Sequence, residues 1–135
     1  MEAGKELDAL VAEKVMGIAP SEWPWGCHAE GHTMDEDVWC YTCGMLYSEG
    51  ERVPPPYSSS ISAAWRVVEK MRSGGWLVSM LGMMEGAWEG RYHASFRHVS
   101  QSEFGMHVRS APASSAMSAP HAICLAALEA VGHSP

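Results

Sequence analysis

Residues 25–44 read WGCHAEGHTMDEDVWCYTCG and gather three of the four cysteines and two of the seven histidines in a chain of 135 residues. Counted along the chain, Cys27, His32, Cys40 and Cys43 form C-x4-H-x7-C-x2-C, with His28 as a rival to His32. Zinc takes four such ligands in a tetrahedron, and a C-x2-C turn presents two thiolates from one side. Gly44 behind the pair suits the tight backbone of a knuckle whose amide N–H groups turn toward sulfur. Two other readings stand beside this one. A redox C-x-x-C would open a helix next to a βαβ unit, and no such pattern surrounds Cys40 and Cys43. Reduced thiols in a loop would need no metal, but ordering an acidic segment of about 30 residues without a core costs much chain entropy. A structural zinc ion is therefore expected, with all four positions filled by the protein. Cys124, in an apolar run near the C-terminus, reads as a core thiol.

A second set of residues suits anions. Arg91, His93 and Arg97 alternate along one half-polar run, and His107 and Arg109 alternate along the next. Side by side in a hairpin, all five are expected to face one way, and arginine's planar fork matches phosphate and carboxylate. Ser58 and Ser59 precede a helical stretch and are candidates to hold phosphate through backbone N–H groups, although serines there serve first as N-caps. The plainer reading is a charged, solvated sheet face with Glu89 and Glu103 as partners.

The elements that carry these residues follow from hydrophobic period. Leu7, Leu10, Val11, Val15 and Ile18 recur at helical spacing over 5–17, and Gly17 and Pro20 stop that helix. Residues 20–53 have no sustained period, and three prolines at 54–56 close this irregular insert. A second helix follows the serines after Tyr57, with Ile61, Ala64, Trp65, Val68 and Met71 as its apolar face and Gly74 and Gly75 at its end. WLVSML at 76–81 is apolar on both sides and reads as a central strand covered from both. Tyr92, Ala94 and Phe96 then alternate with polar residues, as do Phe104, Met106 and Val108, giving a hairpin. SAPASSAMSAP reads as a loop into a last helix that is apolar nearly all round, with Pro120 in its first turn and Gly132 as its cap. Trp65 and Trp88 are expected in the core, and Met80, Met83 and Met84 as gap-fillers.

The order α, insert, α, β, β, β, α predicts an α+β fold. It is a three-stranded or larger antiparallel sheet with helices packed on it in α/β/α layers. Residues 1–135 form one domain, of which 20–53 is the zinc-stabilised insert. The first helix is expected to cover the charged face of the sheet, and incomplete cover would leave an arginine-floored crevice.

Composition removes several function classes. The net charge of −7 is uneven, with three basic and eleven acidic side chains in residues 1–56 and six against five in the remainder. An acidic front half repels nucleic-acid backbones. The segment from residue 58 has the element order of a double-stranded-RNA-binding domain, but SAPHAICLAA carries none of the lysines that such a last helix needs. No apolar run approaches the roughly 20 residues of a membrane span, and the first residues lack the pattern of a signal peptide. The expected place is the cytoplasm. No GxSxG, HExxH, P-loop or paired-carboxylate motif occurs, so no enzymatic role is expected.

Three separated blocks, LDALVAEKVMG, PPYSSSISAAWRVVEKM and APHAICLAALEAVG, come in an order that resembles the phage ABA sandwich domain family. The resemblance implies an α/β/α layered fold and a phage or prophage origin, hence the cytoplasm of a bacterial host. It carries no activity and does not extend to the Cys/His insert. Two function classes remain. One is a binding protein that captures an anionic, nucleotide-like signal of host defence. The other is an interaction module that inhibits a host protein through its zinc region, where Trp23, Trp25 and Trp39 stand among acids. Self-association is left open in both.

Overall fold

The computed structural model describes residues 1–26, 34–35, 39–40, 51–82 and 90–133. Helix α1, Lys5–Val11, runs into a π turn at Ala12–Met16, and Gly17 in the left-handed region (φ 69°) ends it. Leu7, Val11 and Val15 are spaced by four, share a face and are buried. Helix α2, Ile61–Ser73, starts at the N-cap Ser60, whose Oγ accepts the Ala63 N–H at 3.4 Å. Its buried face is Ala63, Ala64, Val67, Val68 and Met71, while Ile61 and Trp65 are 55% and 50% exposed. That corrects the sequence-based face by a fraction of a turn. Small Ala63 and Ala64 allow close packing against the last helix, and the bulky indole of Trp65 is left at the margin.

Helix α3, Ala119–Ala130, is capped by Ser118 and carries Pro120 in its first turn, where the missing N–H is harmless. At its other end Gly132 adopts φ 84°, the Gly132 N–H donates to the Glu129 carbonyl, and the His133 N–H donates to the Leu128 carbonyl. This is a Schellman cap. Ala122, Ile123, Cys124, Ala126, Ala127 and Leu128 are all buried, as an all-round apolar helix requires. α3 is the centre of the core. It packs on α1, on α2 and on the sheet.

The main sheet has four antiparallel strands: β5 Trp76–Gly82, β6 Tyr92–Ser102, β7 Gly105–Ser110 and β8 Ser114–Ala116. β6 is central. β5 pairs along one side of it, so WLVSML is an edge strand among the described residues, with Leu77 54% exposed. β7 and β8 share the other side of β6. Arg97 pairs with Ser110 and Ala94 with Ser114, so Ala111, Pro112 and Ala113 oppose only Ser95 and Phe96. The extra residue is a β-bulge, one of the places in a ladder where Pro112 is tolerated. A strand thus lies inside the stretch that reads as loop.

Ala94, Phe96 and Ala116 are buried on the face that meets α2 and α3. Full burial of Phe96 and Leu128 contributes roughly 1.5–3 kcal/mol each before entropy is subtracted. α1 packs on α3, and its π turn packs on α2 and α3. The expected cover of the charged sheet face by the first helix is therefore corrected. α3 is apolar on every side, and the Leu7–Val11 stripe shields the side away from the sheet.

A 3-10 turn at Pro20–Glu22 and two short antiparallel pairs complete the described elements, the pairs being β1 Trp25–Gly26 with β4 Glu51–Arg52 and β2 Met34–Asp35 with β3 Trp39–Cys40. The first pair closes the base of the insert, and the Arg52 guanidinium donates to the Trp23 carbonyl at 2.7 Å. No helix among the described residues is long and apolar enough to cross a membrane. The readings of Met83, Met84 and Trp88 lie outside the described residues.

Burial raises the Cys124 thiol well above its ordinary value of 9.0, and Asp8 adds a smaller push in the same direction. Tyr57 is also raised by burial; Arg66 opposes the rise, and Cys124 and Asp8 reinforce it. In the unfolded chain both groups ionise near their ordinary values, so the stability they contribute is complete below those values and is lost as pH rises through the folded ones. The thermal midpoint should fall between about pH 8 and about pH 10.5, and fall less in Cys124→Ala. Equal losses in the two proteins would remove Cys124 from the account.

Candidate anion-binding site

The β6–β7 hairpin turns through Glu103 and Phe104, with Ser102 paired to Gly105. That two-residue turn sets an odd register sum, so even residues of β6 share a face with odd residues of β7. His98 therefore stands directly across from Arg109, and Ser100 from His107. Trp76 of β5 lies on the other side of His98 in the same row. All five belong to the face that carries Phe96, at the end of the sheet away from buried Ala94 and Ala116.

The aromatic contacts fix their arrangement. Trp76 and His98 meet edge to face, with ring centroids 5.1 Å apart at 72°. The Arg109 guanidinium sits 5.3 Å from the centroid of the Trp76 ring. This cation–π contact holds the arginine while leaving its N–H fork to other partners. Gly75, at φ 90°, makes room: a Cβ there would lie 3.0 Å from His98 Nε2. Its carbonyl also accepts the Val99 N–H at 3.2 Å, which anchors the start of β5. At the tip, His107 Nε2 and Ser102 Oγ are hydrogen-bonded at 3.1 Å, and Ser102 Oγ also accepts the Phe104 N–H.

Between these side chains is an open depression of about 320 Å³, lined by His98, Ser100, His107, Val108 and Arg109. One guanidinium, two imidazoles and a hydroxyl give it donors suited to phosphate or carboxylate. Among the described residues no group of three or more His, Cys, Asp or Glu is arranged to hold a metal ion.

The five cationic residues expected on one face are divided between two. Arg97 pairs with Leu77 and Ser110, and His93 with Leu81 and Ser115, all on the opposite face of the sheet. Arg91 precedes β6 and is half-buried. His107 and Arg109 are brought together with His98 and Trp76 instead. The signal for His98 was present in the sequence, because it continues the Tyr92–Ala94–Phe96 alternation by one more step.

Ser58 is not placed to hold a ligand. It is buried; its N–H donates to Asp8 Oδ1 at 2.7 Å and its Oγ accepts the Gly4 N–H at 3.0 Å. The Ser59 N–H donates to the Pro56 carbonyl, so both serines lie in the turn before α2, and Ser58 ties the N-terminal segment to it. Of the metal-ligand candidates, Cys27, His32 and Cys43 lie outside the described residues, and Cys40 is described only as the backbone partner of Met34 in β2–β3.

The phage ABA sandwich domain model matches residues 9–128, from the second half of α1 almost to the end of α3. The chain belongs to the phage ABA sandwich domain family. The three α-helices and four-stranded antiparallel sheet among the described residues are consistent with that fold. Searches of the curated proteins and of the solved structures returned no match. The family thus supplies a phage association and a fold, and the chemistry has to be argued from the site.

Proposed function

We propose that this phage ABA sandwich protein is a non-enzymatic binding protein that captures an anionic, nucleotide-like signal of host defence in the bacterial cytoplasm. The observation that supports this most is the convergence of Arg109, His98, His107 and Ser100 around one depression beside the Trp76 ring. Its volume falls at the lower end of the roughly 300–1,000 Å³ typical of ligand pockets. Arginine recognises phosphate, and indole and imidazole rings offer surfaces for a base. The Ser102–His107 hydrogen bond resembles a nucleophile and its base. Yet Ser102 Oγ is engaged with the turn backbone, and no carboxylate orienting the imidazole stands among the described hydrogen bonds. Capture without turnover is the simpler reading.

Native mass spectrometry of the protein purified from infected and uninfected cells tests it. A small anionic adduct that appears on infection and is absent from Arg109→Glu is expected. A co-purifying protein with no small adduct would overturn the reading. That outcome would favour the second one, inhibition of a host protein. It draws support from the far face of the sheet and the hairpin tip, where Leu77, Val108, Met106 and Phe104 are 54%, 56%, 69% and 86% exposed. In either case we propose that Cys27, His32, Cys40 and Cys43 hold a structural zinc ion.

A further inference from the structure

Three of the five residues that line the depression, His107, Val108 and Arg109, belong to β7. All six residues of β7 are exposed, and among the described residues it pairs on one side only, with β6. The Ala111 N–H donates to the Phe96 carbonyl, so in the alternation of an antiparallel ladder the N–H groups of Gly105, His107 and Arg109 point to β6. Those of Met106, Val108 and Ser110 point outward. Long exposed edges of this kind invite another strand.

We infer that two copies of the chain pair through β7 about a two-fold axis when a polyphosphate anion occupies the site, so that each copy completes the other's depression. This rests on the anion-binding reading above. Antiparallel pairing of β7 with itself engages the outward N–H and carbonyl groups of Met106 and Val108. An even two-fold register keeps the inner faces common to both copies. His107 and Arg109 of one copy then continue the row formed by the same residues of the other. On the opposite face, the exposed side chains of Met106 and Val108 from both copies form one apolar strip.

Charge makes the pairing conditional. Without an anion, the guanidinium and imidazole groups of the two copies would face one another across the axis. A ligand with two or more phosphates neutralises both sets and favours the pair by mass action. The ligand class is therefore an anion carrying several phosphates, long enough to touch both copies.

Sedimentation velocity and calorimetry with inorganic tripolyphosphate test this on the full chain. Wild type should sediment as a monomer alone and as a dimer with tripolyphosphate. Met106→Pro removes an outward N–H from a residue outside the depression. It should bind the probe as a monomer, on the order of a hundredfold more weakly, because the bivalent contact is gone. Met106→Lys sets like charges across the axis without altering the backbone, and should behave the same way should the proline variant not fold. Wild type that binds tripolyphosphate as a monomer, or dimerises equally well without it, overturns the pairing while the site reading stands. Dimerisation of both Met106 variants overturns the β7 route. No binding by wild type at all would defeat the site reading itself.

Discussion

Protein from zinc-replete cells should carry about one zinc ion per chain, and Cys40→Ser should carry none. The C-x2-C pair would supply half the proposed ligands, so removing one thiolate should break the chelate rather than weaken one bond. Structural zinc contributes on the order of 10 kcal/mol of apparent binding free energy at neutral pH, which makes this the largest single effect expected in the molecule. Cys124→Ser should keep its metal, because Cys124 is buried in α3 with its thiol held neutral. Elemental analysis of the three proteins decides the matter. A wild type free of metal after growth in zinc-replete medium would return the four residues to ordinary thiols and an ordinary imidazole.

Arg109→Glu should abolish capture of a nucleotide, whereas Arg97→Glu should leave it within about twofold. The two arginines look equivalent in sequence, each the outer member of a short cationic alternation. The hairpin register sets them on opposite faces, Arg109 against Trp76 and His98, Arg97 against Leu77 and Ser110. A hydrogen bond to a charged group contributes about 1.5–3 kcal/mol, so losing one costs at least about tenfold in affinity. Reversing the charge puts a carboxylate among the anion's own oxygens, so the loss should lie at the upper end. Arg97 is exposed on the face that contributes only Val108, and no charged group, to the depression, so its reversal acts only through the weak, screened field of a distant charge.

The helices were legible because their signals are local. Gly17 and Gly132 mark the ends of the first and last helices, and Ser60 and Ser118 sit as caps one residue before the regular period begins. What depended on contacts between distant segments was not legible. The buried face of α2 is set by its fit to α3, so Ala63 and Val67 turned inward and Trp65 outward. β8 was hidden because SAPASSAMSAP has a loop's composition, and only the ladder to Tyr92–Ala94 makes three of its residues a strand. For the site, the residue types were readable but their faces were not. A two-residue turn at Glu103–Phe104 decides which parity of β7 joins which parity of β6, and a turn one residue longer would have grouped Arg109 with Arg97. His98 and Trp76 became site residues through that register and through Gly75, whose missing side chain leaves space for the imidazole. The zinc ligands belong to spacing alone, because Cys27, His32 and Cys43 lie outside the described residues.

One face of the distal hairpin, and not the other, is proposed to capture a phosphate-bearing small molecule. Calorimetric titration of ATP into wild type, Arg97→Glu and Arg109→Glu tests it most directly, with circular dichroism confirming that all three are folded. The account predicts saturable binding by wild type and Arg97→Glu, and none by Arg109→Glu. Loss of binding in Arg97→Glu with retention in Arg109→Glu, or no binding by any of the three, would contradict it.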